Sequence, residues 1–405
     1  MRHEGYLPGS SGYRRIVWSL FAAGLATFTL LYSTQALLPD LRRDFDVSTG
    51  ASTLSVSLAM FGIGAGLLIA GPLSDVVGRT RLIHLSLGAS VVIGFASALA
   101  PTWEALLALR FADGFALAGL PAVATAYLRE ELHPSSQGRA AGLYVGGTAF
   151  GGMSGRLVSG FGAELGGGWR WGIAATVLVG LACAVLVRLA LPVSRGFEPA
   201  PGNPRALAAM TRRALSDPAL LALYAIGGCS LGAMVALFNT IGFRLADPPF
   251  ALGIGAASLV FLVYPLGTVS STWFGDLADR HGRRTVIPIG AAVAIVGALL
   301  TLPDVLSLVV AGMGLLVIGF FAVHGVASGW VPLRAHLGGT SAGQAASLYL
   351  FTYYLGSAVF GTASGAAWTR AGWAGSVALS VALLVLVMAL AALLRRTPSL
   401  APGLR

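Results

Sequence analysis

Three charged side chains stand deep inside apolar sequence: Arg110, Asp113 and Arg156. Arg110 and Asp113 are three residues apart, so in a helix they share a face and can form an ion pair. Such a pair can do proton chemistry. Burial favours the neutral acid and a neighbouring arginine favours the ionised carboxylate, so an acid held between the two can take up and release a proton. The same pair could instead neutralise itself and lock its helix. Arg156 adds a second guanidinium, and two of them could clamp a small organic anion.

Other polar groups interrupt apolar runs: Tyr32, Gln35, Asn239, Tyr264, His324, Tyr353 and Tyr354. These are the candidates for lining a substrate cavity. Cys183 and Cys229 also fall in apolar runs and are expected to pack as small hydrophobes, with no disulfide and no metal-ligand spacing. No Walker loop, metal cluster or soluble output domain is written into the sequence, so an ATP-driven pump, an enzyme and a receptor are all disfavoured. No cofactor is expected, with protons as the coupling ion.

The elements that hold these groups follow from composition. Of the 405 residues, 56% are hydrophobic and only 10% charged. A soluble domain carries about 25% charge. Apolar runs of 18 or more residues recur throughout, each long enough to cross a hydrocarbon core of about 30 Å. Twelve spans are expected near 16–38, 50–71, 82–100, 103–127, 141–163, 171–191, 219–243, 254–274, 286–302, 305–329, 344–366 and 374–394. Counted from Trp103, Arg110 lies about 10 Å and Asp113 about 15 Å into the fourth span. Charges there cost about 2.5–3.5 kcal/mol on insertion scales, which is why they usually face a cavity and act. The first span is too long for a cleavable signal.

All 26 basic residues are arginine. With the N-terminus in the cytoplasm, nineteen fall on the cytoplasmic side, five on the other, and two within spans. That bias fixes the orientation and returns both termini to the cytoplasm. It also accounts for the net charge of +10 without nucleic acid. Between the sixth and seventh spans, 192–218 is basic and contains five prolines, so it reads as a linker. The expected domains are 1–191, a six-helix bundle, and 219–405, a second bundle with a short cytoplasmic tail.

The chain repeats itself. Gly71, Leu73, Asp75, Gly78 and Arg79 recur as Gly275, Leu277, Asp279, Gly282 and Arg283, each 204 residues later. Gln35 falls on Asn239 at the same offset, and Arg129 on Arg334 at 205. Two parallel six-span halves around a midplane site are the expected architecture, an all-α membrane protein with two pseudo-symmetric bundles. The glycines suit tight turns and close helix approach, and the aspartates can face helix N-termini or arginines such as Arg129 and Arg334 on neighbouring loops.

On these residues the sequence resembles the major facilitator superfamily, whose signature G-x-L-x-D-x-x-G-R-[RK] lies between helices two and three. The resemblance implies that Gly71, Asp75, Gly78, Arg79 and Arg129, with Gly275, Asp279, Gly282 and Arg283, form a cytoplasmic gate. "LLALRFADG" resembles the helix-four motif L-x-x-x-R-x-x-[QD]-G, which implies proton coupling through Arg110 and Asp113. "GGTAFGGMSGRLVSG" resembles the helix-five antiporter motif, with Gly152 where the motif has proline and Arg156 where it ends in glycine. Gly147, Gly151, Gly152 and Gly155 there have the spacing for close helix contact. Together with "LLYSTQALLPDLRRDF" in the first span, this text resembles the bacterial proton-antiporter branch of arabinose or drug efflux. It implies a monomeric transporter of the inner membrane that exports a small organic solute against protons by alternating access. The rival expectation is proton-coupled uptake or exchange of a small organic anion held by Arg110 and Arg156.

Overall fold

The fold is a computed structural model that describes residues 5–197 and 204–397. Residues 198–203 of the expected linker lie outside the described residues, as do Arg2 and Arg405, which counted toward the orientation. Ten helical stretches are each long and apolar enough to cross a bilayer. The last, Ala342–Arg396, breaks at Ala371 and Gly372 (φ −143° and 57°) and is therefore two helices. Pro134–Gly166 is one more long helix, whose glycine, serine and arginine content lowers its hydropathy. The twelve helices are α1 Ser11–Asp44, α2 Thr49–Val77, α3 Arg79–Ala98, α4 Trp103–Glu131, α5 Pro134–Gly166, α6 Trp169–Ala190, α7 Pro218–Ala246, α8 Ile254–His281, α9 Arg283–Leu300, α10 Leu306–Leu337, α11 342–370 and α12 373–396. Each overlaps one expected span. No strand occurs among the described residues.

Contacts divide the chain into two compact units. The first comprises 1–37 and 58–202, the second 38–57 and 203–405. The division differs from the expected one in a specific way. The end of α1 and the start of α2 pack with the second unit, where Gly50 meets Gly365 so closely that a Cβ on Gly365 would fall 2.5 Å from the Gly50 Cα. Part of the expected linker is helical. Pro204–Ser216 is a helix, tied to the second unit where the Thr340 hydroxyl donates to the Met210 carbonyl (3.4 Å) and Gln344 Nε2 to Thr211 Oγ1 (2.9 Å).

Within the first unit, α1 and α5 touch backbone to backbone. Cβ atoms on Gly147, Gly151 and Gly155 would fall inside 3 Å of the carbonyl oxygens of Phe21, Leu25 and Thr29. The four-residue spacing is one helical turn, so the glycines form a single flat seam. The second unit repeats the contact between α7 and α11, where a Cβ on Gly356 would meet Gly228. Helix α1 is not continuous. Its first α-helical part ends at Leu31, residues 32–34 form a turn, a short 3₁₀ segment follows at Gln35–Leu37, and the α-helix resumes over Leu38–Asp44. Irregular backbone at membrane depth must be satisfied by other groups of the protein. Those groups belong to the candidate site.

Candidate functional site

The break in α1 organises the site. Arg110 on α4 is 1% exposed, and its Nη2 donates to the Leu31 carbonyl at 2.7 Å while Nη1 lies 3.4 Å from the Leu30 carbonyl. The guanidinium thus caps the interrupted helix, taking up carbonyls that a continuing helix would have used. The same Nη1 pairs with Asp113 Oδ2 at 2.7 Å, and Asp113 is also 1% exposed. Asp113 Oδ1 is buried beside the Ser90 hydroxyl without a hydrogen bond of ordinary geometry. The expected pair is therefore present, and its arginine does a second job that spacing alone did not reveal.

On the other side of the break lies Arg156, fully buried on α5. Its guanidinium sits 3.9 Å above the Tyr32 ring, and its Nε donates to Gln35 Oε1 at 2.5 Å. A cation over an aromatic face gains more when both are desolvated. Tyr32, Gln35 and Arg156, three separate expectations, thus form one cluster in the first unit. The seam of glycines explains how: Gly155, next to Arg156, brings the α5 backbone against Thr29, one turn before Tyr32.

In the second unit the candidates fall into three places. His324 on α10 lies 3.0 Å from the Tyr349 hydroxyl, stacks on Phe320 (5.7 Å, 6°) and has the Tyr353 ring at 4.6 Å. Tyr354 meets Tyr353 edge-on at 5.1 Å. Tyr264 stands apart, edge-on to Phe321 (5.5 Å) and Phe238 (6.2 Å). Asn239 is buried separately, its Nδ2 3.4 Å from the Gly361 carbonyl. Tyr349, Phe320 and Phe321 were missed from sequence, although Phe320/His324 and Tyr349/Tyr353 each have the i, i+4 spacing that stacks side chains on one helix face.

The repeated phrase builds two sharp turns. Gly78 alone separates α2 from α3, and Gly282 alone separates α8 from α9, with φ of 97° and 86°. Only glycine adopts such angles readily. Gly71 and Gly275 differ, since a Cβ on either would meet nothing within 4 Å, so the close approach expected there is not made. The aspartates do not pair with Arg129 or Arg334, the arginines named for them. Arg79 pairs with Asp75 of its own motif (2.6 Å) and with Glu130 (3.1 Å), hydrogen-bonds Ser74, and lies over the Phe197 ring. Arg129 is exposed instead, because adjacent residues on a helix point about 100° apart and Glu130 takes the inward place. In the second unit Asp279 is exposed, and neither it nor the half-buried Arg283 forms an ion pair among the described residues. Arg334 grips Asp217 through two bonds of 2.8 and 3.2 Å.

Glu131 performs a task that no motif announced. Its buried Oε1 accepts the Ser194 hydroxyl (2.8 Å) and the backbone N–H groups of Arg195 (2.5 Å) and Gly196 (2.9 Å). Tyr127 donates to the Pro192 carbonyl at 2.7 Å. Residues 192–197 are thereby strapped across the ends of α3 and α4.

Comparison with known proteins completes the assignment. The description "Major Facilitator Superfamily" fits residues 20–275. The chain is 38% identical over 390 residues to the uncharacterized MFS-type transporter YybF of Bacillus subtilis (strain 168), covering 96% of this chain and 95% of that one. It is 39% identical over 388 residues to the inner membrane transport protein YnfM of Escherichia coli (strain K12), covering 96% and 92%. Among solved structures, a bacterial homolog of the human lysosomal transporter Spinster superposes with a TM-score of 0.78 at 17% identity, covering 96% of this chain and 98% of that chain. The nucleoside transporter NupG does so at 0.70 and 16%, covering 94% and 99%. With its twelve membrane helices and paired signature turns, the chain belongs to the major facilitator superfamily and is a membrane transporter rather than an enzyme.

Proposed function

We propose that the protein is a proton-coupled antiporter of the cytoplasmic membrane, exporting a small drug- or sugar-like organic solute as a monomer by alternating access, with both termini in the cytoplasm. The observation that carries this reading is the buried Arg110–Asp113 pair, 2.7 Å long and 1% exposed on either side. Asp113 is the acid deep within a span, and its second oxygen keeps capacity for a proton or a hydrogen bond. Protonation would release Arg110 from its ion pair while leaving its bonds to the α1 carbonyls, so charge state at Asp113 would bear directly on the broken segment of α1.

The test is transport in proteoliposomes under an imposed pH gradient, screening drugs, sugars and organic acids, with Asp113→Asn alongside. Export driven by the gradient in the parent, and gradient-independent flux in the variant, is the expected outcome. Gradient-driven flux unchanged in Asp113→Asn would remove this acid from the mechanism. The alternative reading is uptake or exchange of a small organic anion held by Arg110 and Arg156, favoured by the two guanidiniums that flank the α1 break. Counterflow that accepts anions and refuses cations would decide for it.

A further inference from the structure

A basic cleft lies away from the buried site, on the second unit. It encloses about 700 Å³ and is lined by Ala208, Ala209, Arg212, Arg213, Ser216 and Asp217 together with Gly338 and Thr340. Its walls locate it relative to the bilayer. Asp217 is the N-cap of α7, Gly338 ends α10, and Thr340 precedes Ser341, the N-cap of α11. Three membrane helices begin or end at its rim, which sets the cleft at the level of the lipid headgroups. The acid within it does not oppose an anion. Both Asp217 oxygens are held by Arg334, so Arg212 and Arg213 are left as the exposed charge of the cleft. Leu215 and Leu337, 46% and 42% exposed, lie in the flanking helices as apolar surface.

We propose that this cleft binds the phosphodiester headgroup of an anionic phospholipid, with Arg212 and Arg213 on the phosphate and Ser216 Oγ, whose hydrogen is donated to the Arg212 carbonyl (2.7 Å), left to the headgroup only as an acceptor. Guanidinium forks match phosphate oxygens in pairs. Clusters of arginine at the cytoplasmic end of membrane helices attract anionic lipid, and basic pockets there hold headgroups. A volume of this size accommodates a headgroup with its glycerol, within the range of small-molecule sites. Since the linker helix is tied to α11 through Thr340 and Gln344, a lipid held here would bridge the linker and the helix ends that it overlies.

The experiment uses the purified full chain in mixed phosphatidylglycerol and phosphatidylethanolamine of matched acyl chains, with bound lipid counted by native mass spectrometry. The parent retains phosphatidylglycerol preferentially. Arg212→Gln with Arg213→Gln lowers that preference roughly twenty-five-fold, about fivefold for each arginine. Arg139→Gln, an exposed arginine on the other unit, leaves it unchanged. Arg212→Lys with Arg213→Lys preserves the charges and most of the retention. The proposal fails if the glutamine pair retains lipid like the parent, or if the Arg139 or lysine variants lose as much as the glutamine pair. It also fails if millimolar inorganic phosphate occupies the cleft while phosphatidylglycerol binds no better than phosphatidylethanolamine.

Discussion

Arg110 and Asp113 should not be energetically equivalent, although they form one ion pair. Replacing Asp113 with alanine strands a guanidinium that is 1% exposed, and arginine does not shed its proton in proteins. Breaking a buried pair in this way costs about 3–5 kcal/mol. Arg110→Met leaves the acid, which can neutralise itself by taking up a proton, but it uncaps the Leu31 carbonyl at 2.7 Å. A hydrogen bond to a charged group contributes about 1.5–3 kcal/mol, so the loss should be of that order and smaller than for Asp113→Ala. The double variant loses the cap and has no stranded charge. Its cost should therefore match Arg110→Met alone, giving a coupling energy of about 3 kcal/mol or more between the two positions. The measurement is a double-mutant cycle of unfolding in mixed micelles titrated with denaturing detergent. Additivity within about 0.5 kcal/mol would refute both the pairing and the capping argument.

Three further outcomes follow from particular contacts. Gly151→Val should separate α1 from α5, costing about 1–3 kcal/mol by overpacking and reducing transport, as read by thermal unfolding and flux; parent-like values in both would show that the seam is compliant. Glu131→Ala should release residues 192–197 and speed tryptic cleavage at Arg195 at least tenfold, whereas Glu131→Gln, which keeps an acceptor oxygen, should speed it less. Burial alone would raise the Asp217 carboxyl, but hydrogen bonds from Arg334 and the Ala219 backbone outweigh it and hold the carboxyl below its ordinary value. Stability from Asp217 is then present above about pH 4 and lost as pH falls through the lower folded value. Arg334→Gln should shrink that acid-side loss in thermal unfolding followed against pH.

Long apolar runs make helix existence legible, and each of the twelve expected spans coincides with a helix. Gly78 and Gly282 were legible for the same kind of reason, because a one-residue turn between helices demands a positive φ that only glycine adopts easily. Partner choice at helix ends was not. Arg129 and Glu130 are neighbours in sequence, and which one faces Arg79 depends on the phase of α4 at its last turn, where boundaries are least certain. The charge, spacing and motif of Arg110 point to its pairing with Asp113 but not to a capping role. Its role as a cap depends on a break in α1 at Tyr32–Thr34, a stretch with no proline or glycine to mark it. The packing of 38–57 with the second unit was equally hidden, since it rests on long-range contacts that no local pattern encodes.

The glycine seam between α1 and α5 also limits how the protein can move. Ordinary helix pairs slide when interlocked side chains jump from one rotamer to another. Here two main chains abut with nothing between them to reshuffle. The irregular backbone of α1 lies instead at the turn 32–34, with one guanidinium from α4 on the carbonyl just before it and another from α5 beside it. Tyr32 and Gln35 stand at the two ends of that turn and both meet Arg156, so any change in the joint is felt at the α5 guanidinium.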